Sequence, residues 1–144
     1  IMMVNNEAGS VMPIAQMAKL THRICPDAIF HTDAVQGFMK VPFQAKTLGA
    51  DLISVSSHKI HGPKGAGALY IAPRLKSFPP LLIGGGQESN MHSGTEATPA
   101  IFSFGAAAEA AADIKGHAEY VKSLNDGTFI VVSLILVLIF ILCE

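Results

Sequence analysis

Short apolar runs alternate along this chain with stretches of helical spacing, and this alternation constrains the fold more than any other feature. The runs that predict strands are residues 1–4, 28–31, 52–55 and 65–71. A helix beginning at Pro13 and ending at Cys25 and Pro26 separates the first two, and a helical turn at residues 46–50 precedes the third. This order predicts an α/β fold whose mostly parallel sheet has flanking helices. The fourth run follows the third closely enough to return antiparallel, so we expect a mixed sheet.

The second half of the chain predicts a loop and then a long helix. Residues 84–88 are glycine-rich and indicate a flexible loop, and Thr95 is a candidate cap for the helix that follows. Residues 100–124 are rich in alanine and predict one helix, with Gly105 and Gly116 as its weak points.

Composition bounds the class of protein. A length of 144 residues is enough for one sizeable core. The 10 basic and 11 acidic side chains leave no basic face for nucleic acid. Two distant cysteines in a chain without a secretory signal argue against a disulfide framework and favour the cytoplasm.

The apolar segment 128–142 stands apart from the rest of the chain. It spans 15 residues without a charge, fewer than the roughly 20 that a straight membrane-spanning helix needs. We therefore divide the chain into a partial domain at residues 1–125 and a tail at 126–144. A frameshift or truncation is the favoured origin of the tail, with a short membrane anchor and a buried element as the alternatives.

Polar clusters follow the predicted strands at their carboxyl ends. They comprise Asn5 and Asn6, then Asp33 and Gln36, then Ser56, His58 and Lys59. Ligands of open α/β sheets collect outside these strand ends, so we expect the clusters to converge on one crevice. Taken singly, Lys59 could be an ordinary surface lysine and Asp33 a helix cap. An amine and a carboxylate that each end a strand are together what a pyridoxal phosphate enzyme needs.

Each residue type suits one part of that cofactor. Lys59 would hold the aldehyde as a Schiff base, and Asp33 would face the ring nitrogen and keep it protonated. Gln36 can hydrogen-bond the ring hydroxyl oxygen, while Ser56 and His58 can donate to the phosphate. A nucleophilic amine must be unprotonated, and desolvation favours that form, so we expect Lys59 in a closed cleft.

Other features are weaker candidates for chemistry. The glycine-rich residues 62–67 lack the spacing of a nucleotide loop and predict a tight turn. His31, Asp33, His58 and His61 could gather a divalent metal, but Lys59 would place a cation inside the shell, and we assign no metal. Cys25, beside Pro26 at a helix end, is expected to be a bystander.

The chain resembles NifS-like cysteine desulfurases and the related selenocysteine lyases, in the class V aminotransferase group of fold type I pyridoxal phosphate enzymes. The motifs that carry the resemblance are VNNEAG at 4–9, HTDAVQ at 31–36, SSHKIHGPKGAGALY at 56–70 and GGGQESNMHSGTEAT at 84–98. The resemblance covers roughly residues 1–125. It implies that Lys59 is the catalytic lysine and that Asp33, Gln36, Ser56 and His58 bind the cofactor. It also adds Asn6, near the cofactor and the substrate carboxylate, and Thr95, which would reach the phosphate of a neighbouring subunit in a homodimer.

The implied activity is conversion of L-cysteine to alanine, with the sulfur passing as an enzyme persulfide to an acceptor or scaffold protein for iron–sulfur cluster and thio-cofactor assembly. The chain lacks the family's N-terminal segment and its C-terminal domain with the persulfide cysteine and the carboxylate-binding arginine, so we expect little activity from it alone. His92 stands where relatives usually have arginine. The alternatives are a selenocysteine lyase or another class V enzyme, and a non-catalytic remnant that associates with a full-length partner or, through residues 128–142, with a membrane.

Overall fold

The computed structural model describes residues 1–75, 78–80 and 82–125. The chain divides into two compact units, Ile1–Ala112 and Asp113–Glu144. The tail at 126–144, with its apolar segment 128–142, lies outside the described residues, and its origin stays a prediction. Among the helices described, none has the length and apolar character that crossing a bilayer requires.

A mixed sheet organises the first unit. Within the described residues its strands are β1 (His31–Asp33), β2 (Leu52–Ser56) and β3 (Gly67–Ile71), in that spatial order. β1 runs parallel to β2 with Asp33 opposite Ser54, and β3 returns antiparallel to β2. Residues 1–4 form no full strand, but Met2 makes a parallel bridge to Asp33 beside β1. The predicted α/β fold with a mixed sheet is confirmed.

Helices flank this sheet. They are α1 (Ile14–Ile24), α2 (Ala45–Leu48), a turn of 3-10 helix (Ser57–Ile60) and, after the short segment α3 (Gln87–Asn90), α4 (Thr98–Ala110). α3 is a turn and not a regular helix, because Glu88 and Ser89 have left-handed backbone angles (φ 48° and 56°). In the second unit, residues 114–125 are helical. α1 begins after Pro13 and ends at Cys25, as predicted, because proline suits a helix start and Pro26 prevents continuation.

The core lies against one face of the sheet. Thr32 and Ile53 are opposite each other in register and both are buried. Ile14 and Ala18 on α1 belong to the same apolar cluster as Ile53, so α1 covers this face. The whole buried cluster is Met3, Ile14, Ala18, Phe30, Ala34, Ala50 and Ile53. The side chains on the opposite face of the sheet do not belong to this apolar cluster.

The structure also corrects two predicted element bounds and one predicted helix cap. β1 begins at His31 and not at residue 28, because the Phe30 N–H donates to the Asp51 carboxylate (2.7 Å). The long helix predicted at 100–124 is interrupted at residues 111–113, where Asp113 Oδ1 accepts from Gly116 N (2.9 Å) and caps a new helix. Thr95 does not cap α4, since the cap position is Ala97 and no side chain bonds there.

α4 supports the loops that follow the two parallel strands. The Phe104 ring packs edge-on against Phe38, in the turn after β1, with ring centroids 6.0 Å apart. α4 also packs against the 3-10 turn after β2. The helix therefore fixes both segments that carry the predicted site residues.

Candidate functional site

Asp33 is held at the carboxyl end of β1. Its backbone N–H donates to the Ile1 carbonyl (2.9 Å), and its carbonyl accepts from Met3 N (2.7 Å), so the main chain is bonded on this side. Its Oδ1 accepts from Val35 N (2.9 Å), which fixes the carboxylate over the turn at residues 34–41. The half-buried side chain thus has a defined orientation.

Ser56, His58 and Lys59 follow one another at the carboxyl end of β2. Ser56 is the last strand residue, and His58 and Lys59 lie in the 3-10 turn. The Ser56 Oγ and His58 Nδ1 are 2.7 Å apart, so the two side chains that were predicted to hold a phosphate are hydrogen-bonded to each other. Lys59 is exposed, so the closed cleft expected around it is not formed in this structure.

The Asp33 carboxylate and the Ser56 hydroxyl share one face of the sheet. Asp33 is paired with Ser54 in the parallel register, and alternate residues of a strand point to the same side. Ser54 and Ser56 therefore face the same side as Asp33. The hydrogen bond between His31 Nε2 and Ser54 Oγ (2.6 Å) shows this face directly. Asp33 and Ser56 end neighbouring strands on this common face, opposite the apolar core.

Lys40 is a second amine close to Lys59, and the sequence reasoning missed it. Partial burial and then the positive charge of Lys59 lower the pKa of Lys40 from its ordinary value. The turn after β1 and the 3-10 turn after β2 thus carry two lysines that interact electrostatically. Positive character at this edge favours an anionic ligand such as a phosphate or carboxylate. Only the strand order could have predicted that Lys40 and Lys59 interact, since 18 residues lie between them in the sequence.

The other predicted site residues lie in loops. Gln36 is half-buried in the turn after Asp33. Asn6 is exposed in the loop after Val4, and its Nδ2 donates to Glu7 Oε1 (3.2 Å). Thr95 is exposed in the segment before α4. The geometry therefore brings together the ends of β1 and β2, and the roles of all the predicted site residues stay predictions.

The remaining candidates from the sequence do not form a second centre. Within the described part of the chain, His, Cys, Asp and Glu side chains form no group of three that could hold a metal ion. Cys25 is exposed at the end of α1, in the segment leading to the amino end of β1. This segment therefore leads to the amino edge of the sheet, opposite the carboxyl edge where Asp33 and Ser56 lie.

Polar and cationic side chains lie at the carboxyl edge of a parallel strand pair, which is where open α/β sheets bind their ligands. The chain belongs to the aminotransferase class-V family, whose pattern matches residues 1–128.

Among curated proteins, the chain is 48% identical over 113 residues to a cysteine desulfurase of Sinorhizobium fredii, covering 78% of this chain and 28% of that protein. It is 43% identical over 129 residues to the cysteine desulfurase IscS of Rickettsia rickettsii, covering 88% of this chain and 31% of that protein. Among solved structures, a NifS-like protein from Rickettsia africae superimposes with a TM-score of 0.81 at 40% identity, covering 88% of this chain and 35% of that one. The chain therefore spans about a third of the length of these relatives.

Proposed function

We propose that this chain carries the pyridoxal phosphate site of a cysteine desulfurase. The observation that carries the proposal is the pairing of β1 with β2, which sets Asp33 and Ser56 on one face with Lys59 three residues further on. The relatives named cysteine desulfurase support L-cysteine as the substrate. Because the chain spans only part of these relatives, the activity, substrate and partners of the whole enzyme are all proposed.

The donor set fits the cofactor. Pyridoxal phosphate supplies an electron sink that stabilises negative charge at the α-carbon of an amino acid. Asp33, oriented by Val35 N, is the anionic partner that we assign to the ring nitrogen. The bonded Ser56 and His58 pair supplies hydroxyl and imidazole donors for the phosphate, and Gln36 lies in the turn that begins at Asp33. We assign Lys59 Nζ to the aldehyde and to proton transfer at the substrate.

The overall reaction transfers one sulfur atom. L-cysteine and a protein thiol would give L-alanine and a protein persulfide, which keeps atoms and electrons in balance. We assign neither Cys25 nor Cys143 as that thiol: Cys25 precedes the opposite edge of the sheet, and Cys143 lies outside the described residues. A homodimer with Thr95 at the neighbouring site, a sulfur-acceptor protein and a cytoplasmic location complete the proposal.

Reductive trapping tests the assignment of Lys59. The purified protein is incubated with pyridoxal phosphate and reduced with borohydride, and the modified lysine is located by peptide mass spectrometry. We expect the label on Lys59 and none at this peptide in Lys59→Ala. Lys64→Ala is the matched control, because this exposed lysine lies five residues away in the next turn and should not change the labelling.

Two outcomes would contradict the proposal. Labelling spread over exposed lysines in proportion to their accessibility would show that Lys59 is not selected. The absence of label on Lys59 with saturating cofactor would remove the basis for pyridoxal phosphate chemistry in this chain.

A further inference from the structure

Ser57, between the proposed phosphate ligand Ser56 and the proposed catalytic Lys59, points away from solvent. Its side chain is fully buried, and its Oγ has no hydrogen-bond partner among the residues that the structure describes. A buried hydroxyl without a partner destabilises the fold, so the hydroxyl itself does not explain why Ser57 occupies this place.

The main chain of Ser57 anchors the turn that carries Lys59. Its N–H donates to the Ala66 carbonyl (3.0 Å), and its carbonyl accepts from Gly62 N (3.1 Å) and from the His61 N–H. These bonds tie the start of the 3-10 turn to the segment that leads into β3 and close the turn on itself. Lys59 is two residues from this anchor, so a displacement of Ser57 changes the position of the amine.

Gly62 approaches Ser57 too closely for any side chain. A methyl group placed on Gly62 would lie 2.0 Å from Ser57 Oγ and 3.2 Å from the Ser57 carbonyl oxygen. The same methyl would lie 3.1 Å from Ala107 Cβ on α4. Ser57, Gly62 and Ala107 therefore form a close-packed seat, in which small residues let α4 press the 3-10 turn into place.

We propose that this seat positions Lys59, with Ser57 acting through its main-chain hydrogen bonds to Ala66 and Gly62 and not through its hydroxyl. Ser57, Gly62 and Ala107 are positioning residues, since none of them is assigned to contact the cofactor. The inference rests on the proposed function for the role of Lys59, while the seat itself is a property of this chain.

The test is a pair of substitutions in the full protein. Gly62→Ala should lower the rate of reductive pyridoxal phosphate labelling at Lys59 about tenfold, because a small displacement of a reacting group costs a large factor in rate. Ser57→Ala should leave this rate within about twofold of wild type, and adding it to Gly62→Ala should restore most of the loss, because it removes the closest contact. Gly105→Ala is the matched control: the same methyl meets open space on α4 and should not change the rate.

A second readout does not depend on cofactor binding. Amide hydrogen exchange in residues 57–62 should be about tenfold faster in Gly62→Ala, since the bonds to the Ser57 carbonyl are disturbed, and should recover in the double variant. If wild type takes no label at Lys59 while exchange follows this pattern, the proposed function fails and the seat stands as a structural feature without the positioning role.

Several results would overturn the positioning role. They are unchanged Lys59 labelling in a folded Gly62→Ala protein, loss of labelling in Ser57→Ala, and a double variant that recovers neither fold nor labelling. Labelling of Lys19, an exposed lysine on α1, is measured in the same digest and should stay constant. An equal loss at both lysines would assign the effect to the labelling reaction itself and overturn the proposal.

Discussion

At the scale of single residues, the Asp33 carboxyl group combines a structural hydrogen bond with the proposed charge interaction with the ring nitrogen of the cofactor. Its Oδ1 accepts from Val35 N, and its other oxygen is the one left for a ligand. An asparagine can keep the first interaction through its amide oxygen while removing the charge. The two contributions are therefore separable by one conservative substitution.

Asp33→Asn should weaken pyridoxal phosphate binding and leave the fold intact. We expect Kd for the cofactor to rise about tenfold or more, because a hydrogen bond to a charged group is lost. Thermal stability without cofactor should change little, since the bond to Val35 N is retained. Fluorescence titration with pyridoxal phosphate measures the first quantity and thermal denaturation the second. Unchanged affinity would show that Asp33 does not face the ring nitrogen.

The elements whose bounds could be predicted are those specified by local signals. α1 lies between two prolines, and its apolar positions recur at helical spacing, so local chemistry determines it. β2 and the antiparallel β3 were predicted within two residues of their bounds. These elements, together with the strand order, were enough to bring Asp33 and Ser56 to the same edge.

The elements that were misplaced depend on distant partners or on a competing cap. Residues 28–30 were predicted as strand, but the Phe30 N–H bonds to a side chain 21 residues away, which no local pattern reveals. Lys40 and the seat around Ser57 depend equally on contacts between separate loops. The interruption at 111–113 was detectable in principle, because Asp113 followed by a helix-forming segment is a capping signal. Gly105 and Gly116, the predicted weak points, both lie within helices.

α4 offers a direct test at the scale of one element, because two of its phenylalanines have opposite environments. Phe104 is half-buried against Phe38, whereas Phe102 is 81% exposed. Phe104→Ala should destabilise the protein by about 2 kcal/mol, below the cost for a fully buried ring. Phe102→Ala should cost less than about 0.5 kcal/mol.

Chemical denaturation of both variants measures these differences. If α4 supports the site-bearing loops, Phe104→Ala should also lower cofactor labelling of Lys59, and Phe102→Ala should not. Equal effects of the two substitutions would show that the contact with Phe38 does not hold α4 on these loops.

At the scale of the first unit, one buried carboxylate ties together segments from across the sequence. Asp51, 1% exposed, is hydrogen-bonded to His22 Nε2 on α1 (2.8 Å) and accepts from Phe30 N before β1 (2.7 Å) and from the Arg74 guanidinium after β3. Arg74 also donates to the Ala28 carbonyl (2.9 Å). The cluster joins α1 to the ends of three strands at the amino edge of the parallel pair, opposite the carboxyl edge that carries the proposed site.

This cluster should make stability depend on pH in the acid range. Burial alone would raise the pKa of Asp51, but hydrogen bonds from Arg74, Phe30 N and His22 lower it from 3.8 to about 2. The unfolded chain therefore binds this proton at a higher pH than the folded chain does. The stabilisation is fully present above about pH 4 and is lost as the pH falls toward 2. A shift of this size corresponds to about 2 kcal/mol.

Urea denaturation of the protein at intervals between pH 5 and pH 2 measures this loss. Asp51→Asn should lower stability at pH 7 by about 2 kcal/mol or more, because Arg74 is left without its buried partner, and should flatten the curve between pH 4 and 2. Glu109→Gln, which changes an exposed carboxylate on α4, should reproduce the wild-type curve. A wild-type slope that survives in Asp51→Asn would assign the acid sensitivity to other carboxylates. Since Asp51 lies away from the carboxyl edge, cofactor labelling of Lys59 at neutral pH should persist in every Asp51→Asn molecule that remains folded.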